Sequence, residues 1–169
     1  MSEKLTSWLT GRLPEDWFEG APEVTVDREE ILIVGRLPRP DAGAEGEAAG
    51  AAEQGRISRF REDTREQRMR IAREAEHRFG RKVAWGAVCG ETRAVFTSLS
   101  VPVMTRLRQP ERLVLDTLVE AGVARSRSDA LAWCVRLVGR NADDWLASLR
   151  EAMKDVQRVR DTGPDAAAG

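Results

Sequence analysis

The sequence predicts a mixed α+β protein: a small hairpin–helix–hairpin unit, then a strand–helix–helix unit with an extra C-terminal helix. Runs of β-branched residues around polar turns, charged segments with apolar residues at helical spacing, and an alternating apolar run in the last third support this prediction. With 169 residues, 41% of them hydrophobic and 33% charged, the composition is that of a globular protein of one or two domains.

Residues 1–97 form the predicted N-terminal unit. The run EVTVDREEILIVGRL places β-branched residues on both sides of a polar turn, which is typical of a hairpin that ends at Pro38. A helix is predicted from an N-cap at Ser58 to a stop at Gly80. The run KVAWGAVCGETRAVFTSL then predicts a second hairpin, with its turn at Gly90-Glu91.

Two segments are predicted to lack stable structure. Residues 41–55 contain no aromatic and no β-branched residue and are rich in Gly and Ala, so we expect a flexible linker there. The end of the chain, residues 161–169, is expected to be a disordered tail.

Residues 98–160 form the predicted second unit. Its first run, LSVPVMTRL, alternates in the manner of a strand. A helix with Pro110 in its first turn and Gly122 at its end follows, and Ser126 or Ser128 caps the next helix. A last helix places Trp145, Leu149, Ala152 and Val156 in register. One face of the alternating run carries Leu99, Val101, Val103, Thr105 and Leu107, and the other carries Ser100, Pro102, Met104, Arg106 and Arg108.

The order strand, helix, Gly-containing turn and Ser-capped helix over residues 99–140 resembles the ribbon-helix-helix family of homodimeric bacterial DNA-binding proteins. The stretch GVARSRSDALAW carries the resemblance best. It implies that a strand from each protomer pairs into an antiparallel ribbon in the major groove of double-stranded DNA. It also implies base contacts by Met104, Arg106 and Arg108, and phosphate contacts by Ser126, Arg127 and Ser128.

Each of these residues also has a structural interpretation. Ser126 and Ser128 suit the start of any helix, and Arg106 and Arg108 suit the solvent face of a strand. Met104 indicates an interface with DNA or with protein, because a methionine side chain that stays exposed to solvent does not stabilise the folded protein. Alternatively, the second unit is a protein–protein interaction module that dimerises without binding DNA.

Charge is distributed unevenly along the chain. Residues 1–55 carry 5 basic and 12 acidic residues, whereas residues 56–160 carry 22 basic and 14 acidic residues. The second part therefore suits a polyanion, and the acidic N-terminal part is expected to bind a protein partner or an effector.

The sequence lacks the motifs that are typical of membrane proteins, secreted proteins, metal-binding proteins and nucleotide-binding enzymes. It has no apolar run long enough to span a bilayer and no secretory signal, so we expect a cytoplasmic protein that does not bind membranes. Cys89 and Cys134 fit no metal spacing, His77 has no visible partner, and no phosphate-binding loop occurs. We therefore expect no catalytic residues, no metal and no cofactor, and hence no enzyme.

Overall fold

The computed structural model describes residues 2–40 and 46–162, and the chain divides into two compact units, Met1–Pro102 and Val103–Gly169. The sequence-based division falls slightly earlier, after residue 97. The mixed α+β class is confirmed. The described residues form α1 (Ser2–Arg12), β1 (Glu23–Val26), β2 (Glu30–Arg36), α2 (Glu47–Asp63), α3 (Arg65–Phe79), β3 (Lys82–Cys89), β4 (Thr92–Val95), α4 (Gln109–Glu120), α5 (Arg127–Asn141) and α6 (Asp143–Thr162).

The first unit is built on a four-stranded sheet in the order β1-β2-β3-β4. Both predicted hairpins form, since β1 pairs with β2 and β3 pairs with β4 in antiparallel fashion. The two central strands are parallel, with Ile33 opposite Trp85. A parallel pair needs a long crossover, and α2 and α3 supply it.

Apolar side chains on one side of the sheet form the core of the first unit. Trp17 lies at its centre, with its ring 5.6 Å from that of Phe60 and 6.0 Å from that of Trp85, both edge-on. Edge-on aromatic pairs stabilise a core beyond the area they bury. Helices and strands both contribute: the buried cluster contains Leu5, Leu9, Trp17, Ile31, Ile33, Leu37, Ile57, Phe60, Ile71, Trp85, Ala87 and Cys89.

The prediction of a flexible linker was wrong for residues 47–55, which form the first half of α2; residues 41–45 lie outside the described residues. A tertiary contact supplies the stabilisation that the local composition lacks. The buried Glu53 Oε2 accepts hydrogen bonds from the backbone N–H groups of Glu91 (3.2 Å) and Thr92 (3.1 Å) and from the Thr92 hydroxyl (2.8 Å). Glu53 thus joins α2 to the β3–β4 turn, where Gly90 has a positive φ of 57°.

The single helix predicted from Ser58 to Gly80 is in fact two helices that meet at Thr64. Arg68 secures this junction: its Nη2 donates to the Arg61 carbonyl at 2.6 Å and its Nε donates to the Thr64 hydroxyl at 2.9 Å. Burial, together with the charges of Arg61 and Arg65, lowers the pKa of Arg68 to about 10. Since a guanidinium at a helix C-terminus offsets the negative end of the helix dipole, the buried charge has a structural role.

The predicted disordered tail also needs correction at its start. Asp161 and Thr162 are the last residues of α6, where the Thr162 hydroxyl donates to the Arg158 carbonyl at 2.8 Å. Residues 163–169 lie outside the described residues.

Glu53 provides a test of this packing through its pH dependence. The Thr92 hydroxyl, followed by the backbone N–H groups of Thr92 and Glu91, lowers the pKa of the Glu53 carboxyl despite its burial. A lowered folded-state pKa stabilises the protein above about pH 4.3, the unperturbed pKa of glutamate, and this contribution disappears as the pH falls through the folded-state pKa. Glu53→Gln is therefore expected to lower the free energy of unfolding at pH 7, with a smaller effect at pH 3.

Urea unfolding of wild type and Glu53→Gln at both pH values measures this difference. Glu91→Gln is the matched control, because the Glu91 side chain is 96% exposed on the same turn. A destabilisation by Glu53→Gln that is equal at pH 7 and pH 3 would contradict the assigned role of the ionised carboxylate.

Candidate nucleic-acid interface

The second unit begins with residues 103–108, a segment without regular secondary structure that precedes α4 and ends with extended backbone at Arg108. The strand predicted over residues 99–107 forms no ladder within the described part of the chain. Two successive side chains are almost fully exposed, Val103 at 85% and Met104 at 95%. Further along, Leu107 packs against the buried Leu115 of α4. The segment is thus anchored at its end by Leu107, while the backbone before it is open to pairing.

Helices α4 and α5 form a short helical hairpin. Gly122 ends α4 as predicted, with a positive φ of 73°, and the N–H of Val123 donates to the Leu118 carbonyl at 2.9 Å. Behind the turn, Leu115, Ala124 and Ala130 form the buried cluster. This geometry brings the start of α5 close to the first half of α4.

Ser126 is the N-cap of α5, which resolves the choice between Ser126 and Ser128. Its Oγ accepts from the N–H of Asp129 at 3.2 Å, and the Asp129 carboxylate accepts from the N–H of Arg125 at 3.0 Å. The backbone N–H groups of Arg127 and Ser128 have no acceptor among the described residues. Such groups at the positive end of a helix are suited to a phosphate oxygen.

Arg127 does not extend freely into solvent. Its Nε and Nη2 donate to the two carboxylate oxygens of Asp116 in α4, at 2.6 Å and 2.8 Å. This ion pair lowers the pKa of Asp116 and raises that of Arg127. The pair ties α5 to α4, and it places a carboxylate beside the cation that the sequence assigns to phosphate.

An open groove of about 330 Å³ lies between the segment before α4 and the start of α5. Three of the six predicted contact residues line it, namely Met104, Arg127 and Ser128. Arg106 and Arg108 lie outside its lining; both are exposed, and neither side chain pairs with a described residue. Their guanidinium groups are therefore available to an external acceptor.

Two residues of this site were missed by the sequence analysis. Arg112 lines the groove and its Nη1 donates to the Leu107 carbonyl at 2.8 Å, which fixes the end of that segment. Asp116 pairs with Arg127 across a separation of 11 residues. No local pattern signals such a pair, because it depends on the angle at which α5 folds back onto α4.

Other kinds of site were sought in the same parts of the chain. Over residues 2–40 and 46–162, no three His, Cys, Asp or Glu side chains converge in a way that could hold a metal ion. None of the helices in these ranges combines the length and the apolar character needed to cross a bilayer.

Fold and site together define a two-unit α+β protein whose C-terminal unit exposes a segment without regular secondary structure beside a capped helix pair. Comparison with known proteins makes the assignment specific. Residues 3–95 match the N-terminal domain described as Rv1265-like, residues 108–160 match the domain described as Mb1296 C-terminal, and the chain belongs to this Rv1265-like family.

Similar proteins occur in mycobacteria. The chain is 61% identical over 158 residues to the uncharacterized protein Mb1296 of Mycobacterium bovis and to the uncharacterized protein Rv1265 of Mycobacterium tuberculosis. In each case the match covers 94% of this chain and 69% of the relative. No solved structure matches the chain.

The unpaired segment generates a testable prediction about amide exchange. If residues 103–107 pair with a second copy, alternate backbone N–H groups of the segment are protected from hydrogen exchange at high protein concentration and exchange rapidly after dilution into the monomer. Hydrogen–deuterium exchange measured at both concentrations tests this, with the amides of β3 as the control that stays protected throughout. Rapid exchange of residues 103–107 in a dimeric sample would contradict pairing of the segment.

Proposed function

We propose that the C-terminal unit is a homodimeric module that binds double-stranded DNA in the ribbon-helix-helix manner. One observation carries the proposal: an exposed segment without regular structure, extended at Arg108, leads directly into a helix pair whose second helix begins with N–H groups that have no acceptor among the described residues. In that manner of binding, two such segments pair into an antiparallel ribbon that enters the major groove.

The exposure of the segment supports pairing between copies. Val103 lies on the predicted inner face, together with Leu107, yet it is 85% exposed in the single chain. Burying it against a second copy contributes about 1.5–3 kcal/mol for a fully buried valine. A ribbon would also pair the backbone N–H and C=O groups of alternate residues of the segment with the second copy.

The other face of the segment carries the proposed base contacts. Met104 is 95% exposed, and Arg106 and Arg108 follow it on the same face without partners among the described residues. A guanidinium that projects from a ribbon can bind both acceptors of a guanine edge. Met104 would contact the apolar methyl group of thymine.

Phosphate binding is assigned to the start of α5. The N–H groups of Arg127 and Ser128 are unpaired among the described residues, and the Ser126 hydroxyl keeps its proton available while its oxygen caps the helix. Contacts of this type fix a protein on the duplex and carry no sequence information.

Electrostatics favour the second candidate, a dimerising interaction module that does not bind DNA. Residues 103–162 carry 11 basic and nine acidic residues, a net charge of only +2. Asp116 neutralises Arg127, and Asp129 lies in the first turn of α5. In this alternative Met104 meets another protein, and binding to DNA is absent even at low salt.

The N-terminal unit has a separate role in this proposal. Its acidic first part, residues 1–55, repels nucleic acid and suits a protein partner or an effector. As a DNA-binding protein, the molecule would regulate transcription or organise the bacterial nucleoid. This role requires a cytoplasmic location, where the chromosome lies. It requires no enzymatic activity.

Fluorescence anisotropy with a mixed-sequence duplex at low and moderate salt tests the function. We expect binding whose logarithmic affinity falls linearly with the logarithm of salt concentration, because phosphate contacts release counterions. Arg106→Ala is expected to cost about 1–3 kcal/mol on a preferred sequence.

Arg158→Ala in α6 is the matched control, since it removes an exposed arginine remote in sequence from the ribbon. Circular dichroism establishes that each variant is folded. Lack of binding by folded wild type at low salt would overturn the DNA-binding proposal and favour the interaction module.

Asp116→Asn distinguishes the two candidates more directly. The substitution keeps the shape of the side chain, releases the Arg127 guanidinium and removes a negative charge from the phosphate site. We expect tighter DNA binding. We also expect the slope of log affinity against log salt concentration to steepen by the amount that corresponds to about one additional phosphate contact. Asp161→Asn, the same change of charge at the end of α6, is the control. Equal effects of the two substitutions would contradict a phosphate site at the start of α5.

A further inference from the structure

Helix α6 has no buried residue over its 20 residues, although it is strongly amphipathic. Its large apolar side chains lie in the open: Trp145 is 62% exposed and Val159 is 70% exposed. Leu149, Met153 and Val156 are exposed as well. A soluble helix rarely presents an apolar stripe of this length to water, so the stripe marks an interface.

The apolar positions of α6 fit a heptad repeat. Trp145, Leu149, Ala152, Val156 and Val159 alternate spacings of four and three residues, which is the a/d pattern of a coiled coil. In this register Leu149 and Val156 occupy a positions, and Trp145, Ala152 and Val159 occupy d positions.

The same register continues backwards into α5. Val135 and Val138 occupy the preceding a and d positions and are 65% and 55% exposed. Ala142, at the junction of the two helices, takes the next a position. Its N–H donates to the Val138 carbonyl and its carbonyl accepts from the N–H of Leu146, both at 2.9 Å, but its φ of −125° and ψ of 26° are not helical, so α5 ends there and α6 starts as a separate helix. The uninterrupted seam is therefore that of α6, which runs from Trp145 to Val159.

The charged residues beside the seam favour a second copy of α6 as the partner helix, in parallel orientation. Asp155 occupies a g position and Arg160 the e position of the next heptad, the pair that lies side by side between parallel helices. Within one helix these residues are five apart and about 140° around the axis, too far to pair. Antiparallel pairing that sets Leu149 opposite Ala152 would instead place Asp155 beside Ser148 and away from Arg160, so this pair of charges would be lost.

We propose that α6 forms a parallel coiled coil with α6 of a second copy of this chain. The seam is separate from the ribbon and does not depend on DNA binding, but it uses the same homodimer. It supplies apolar burial that the helix pair α4–α5 lacks.

Position-specific disulfide formation tests the seam. In a Cys134→Ser background, Val159→Cys places one thiol at a d position, beside its equivalent in a parallel pair; the remaining Cys89 is fully buried. Oxidation of the full-length protein is expected to give a covalent dimer. Gln157→Cys, on the outer face of the same turn, is the matched control and is expected to remain monomeric on a non-reducing gel.

A charge exchange provides the second test. Asp155→Arg and Arg160→Asp are each expected to slow cross-linking at position 159 severalfold, since each places like charges across the seam. The double variant is expected to restore the rate. Asp155 also pairs with Arg158 of its own helix at 2.7 Å, but that contact cannot account for rescue by Arg160→Asp.

The outcomes are distinguishable from those of the proposed function. Cross-linking at position 159 without DNA binding supports the seam and not the DNA-binding proposal. Cross-linking between a Leu149→Cys chain and an Ala152→Cys chain, without cross-linking between two Val159→Cys chains, would overturn the parallel arrangement. Equal cross-linking at positions 157 and 159, or none at 159 in a folded dimer, would overturn the coiled coil itself.

Discussion

Apolar burial is distributed very unequally between the two units, and the organisation of the C-terminal unit depends on that constraint. The N-terminal unit packs helices and strands around Trp17 and Trp85, whereas the buried cluster of the C-terminal unit consists of Leu115, Ala124 and Ala130. A unit with so small a core gains little stability alone and needs another source of burial, most simply oligomerisation. The proposed ribbon and the proposed α6 seam both answer this need.

In the N-terminal unit, a small number of polar contacts hold the crossover helices in place. A parallel pair at the centre of the sheet commits the chain to a long crossover, and that crossover must bend back at Thr64. Arg68 secures the bend, and Glu53 secures the other end of α2 to the β3–β4 turn. Because both side chains are largely buried, their hydrogen bonds are expensive to lose and therefore specify the arrangement.

The proposed DNA contact is controlled by an internal ion pair. Arg127 already has a carboxylate, so a phosphate must compete with Asp116 for it or bind through the backbone N–H groups alone. An exposed ion pair of this kind contributes little to the free energy of unfolding. Replacing the Asp116 carboxylate by a DNA phosphate as the partner of Arg127 therefore costs little free energy. The arrangement suits weak, salt-sensitive binding better than tight binding, while Arg106 and Arg108 carry charge that is not committed.

The local sequence pattern was sufficient to predict those elements that are stabilised by contacts between residues close in sequence. The alternating runs predicted both hairpins, Gly122 predicted the end of α4, and Ser126 was recognised as a candidate cap of α5. The seam positions of α6 are also present in the sequence, because a heptad is a property of spacing. Contacts between distant residues were decided by the tertiary structure. The segment at residues 47–55 became a helix because Glu53 meets Thr92, and Arg127 found Asp116 because α5 folds back onto α4. Neither partner is close in sequence, and hydrogen bonds of this kind exist only once the chain has folded.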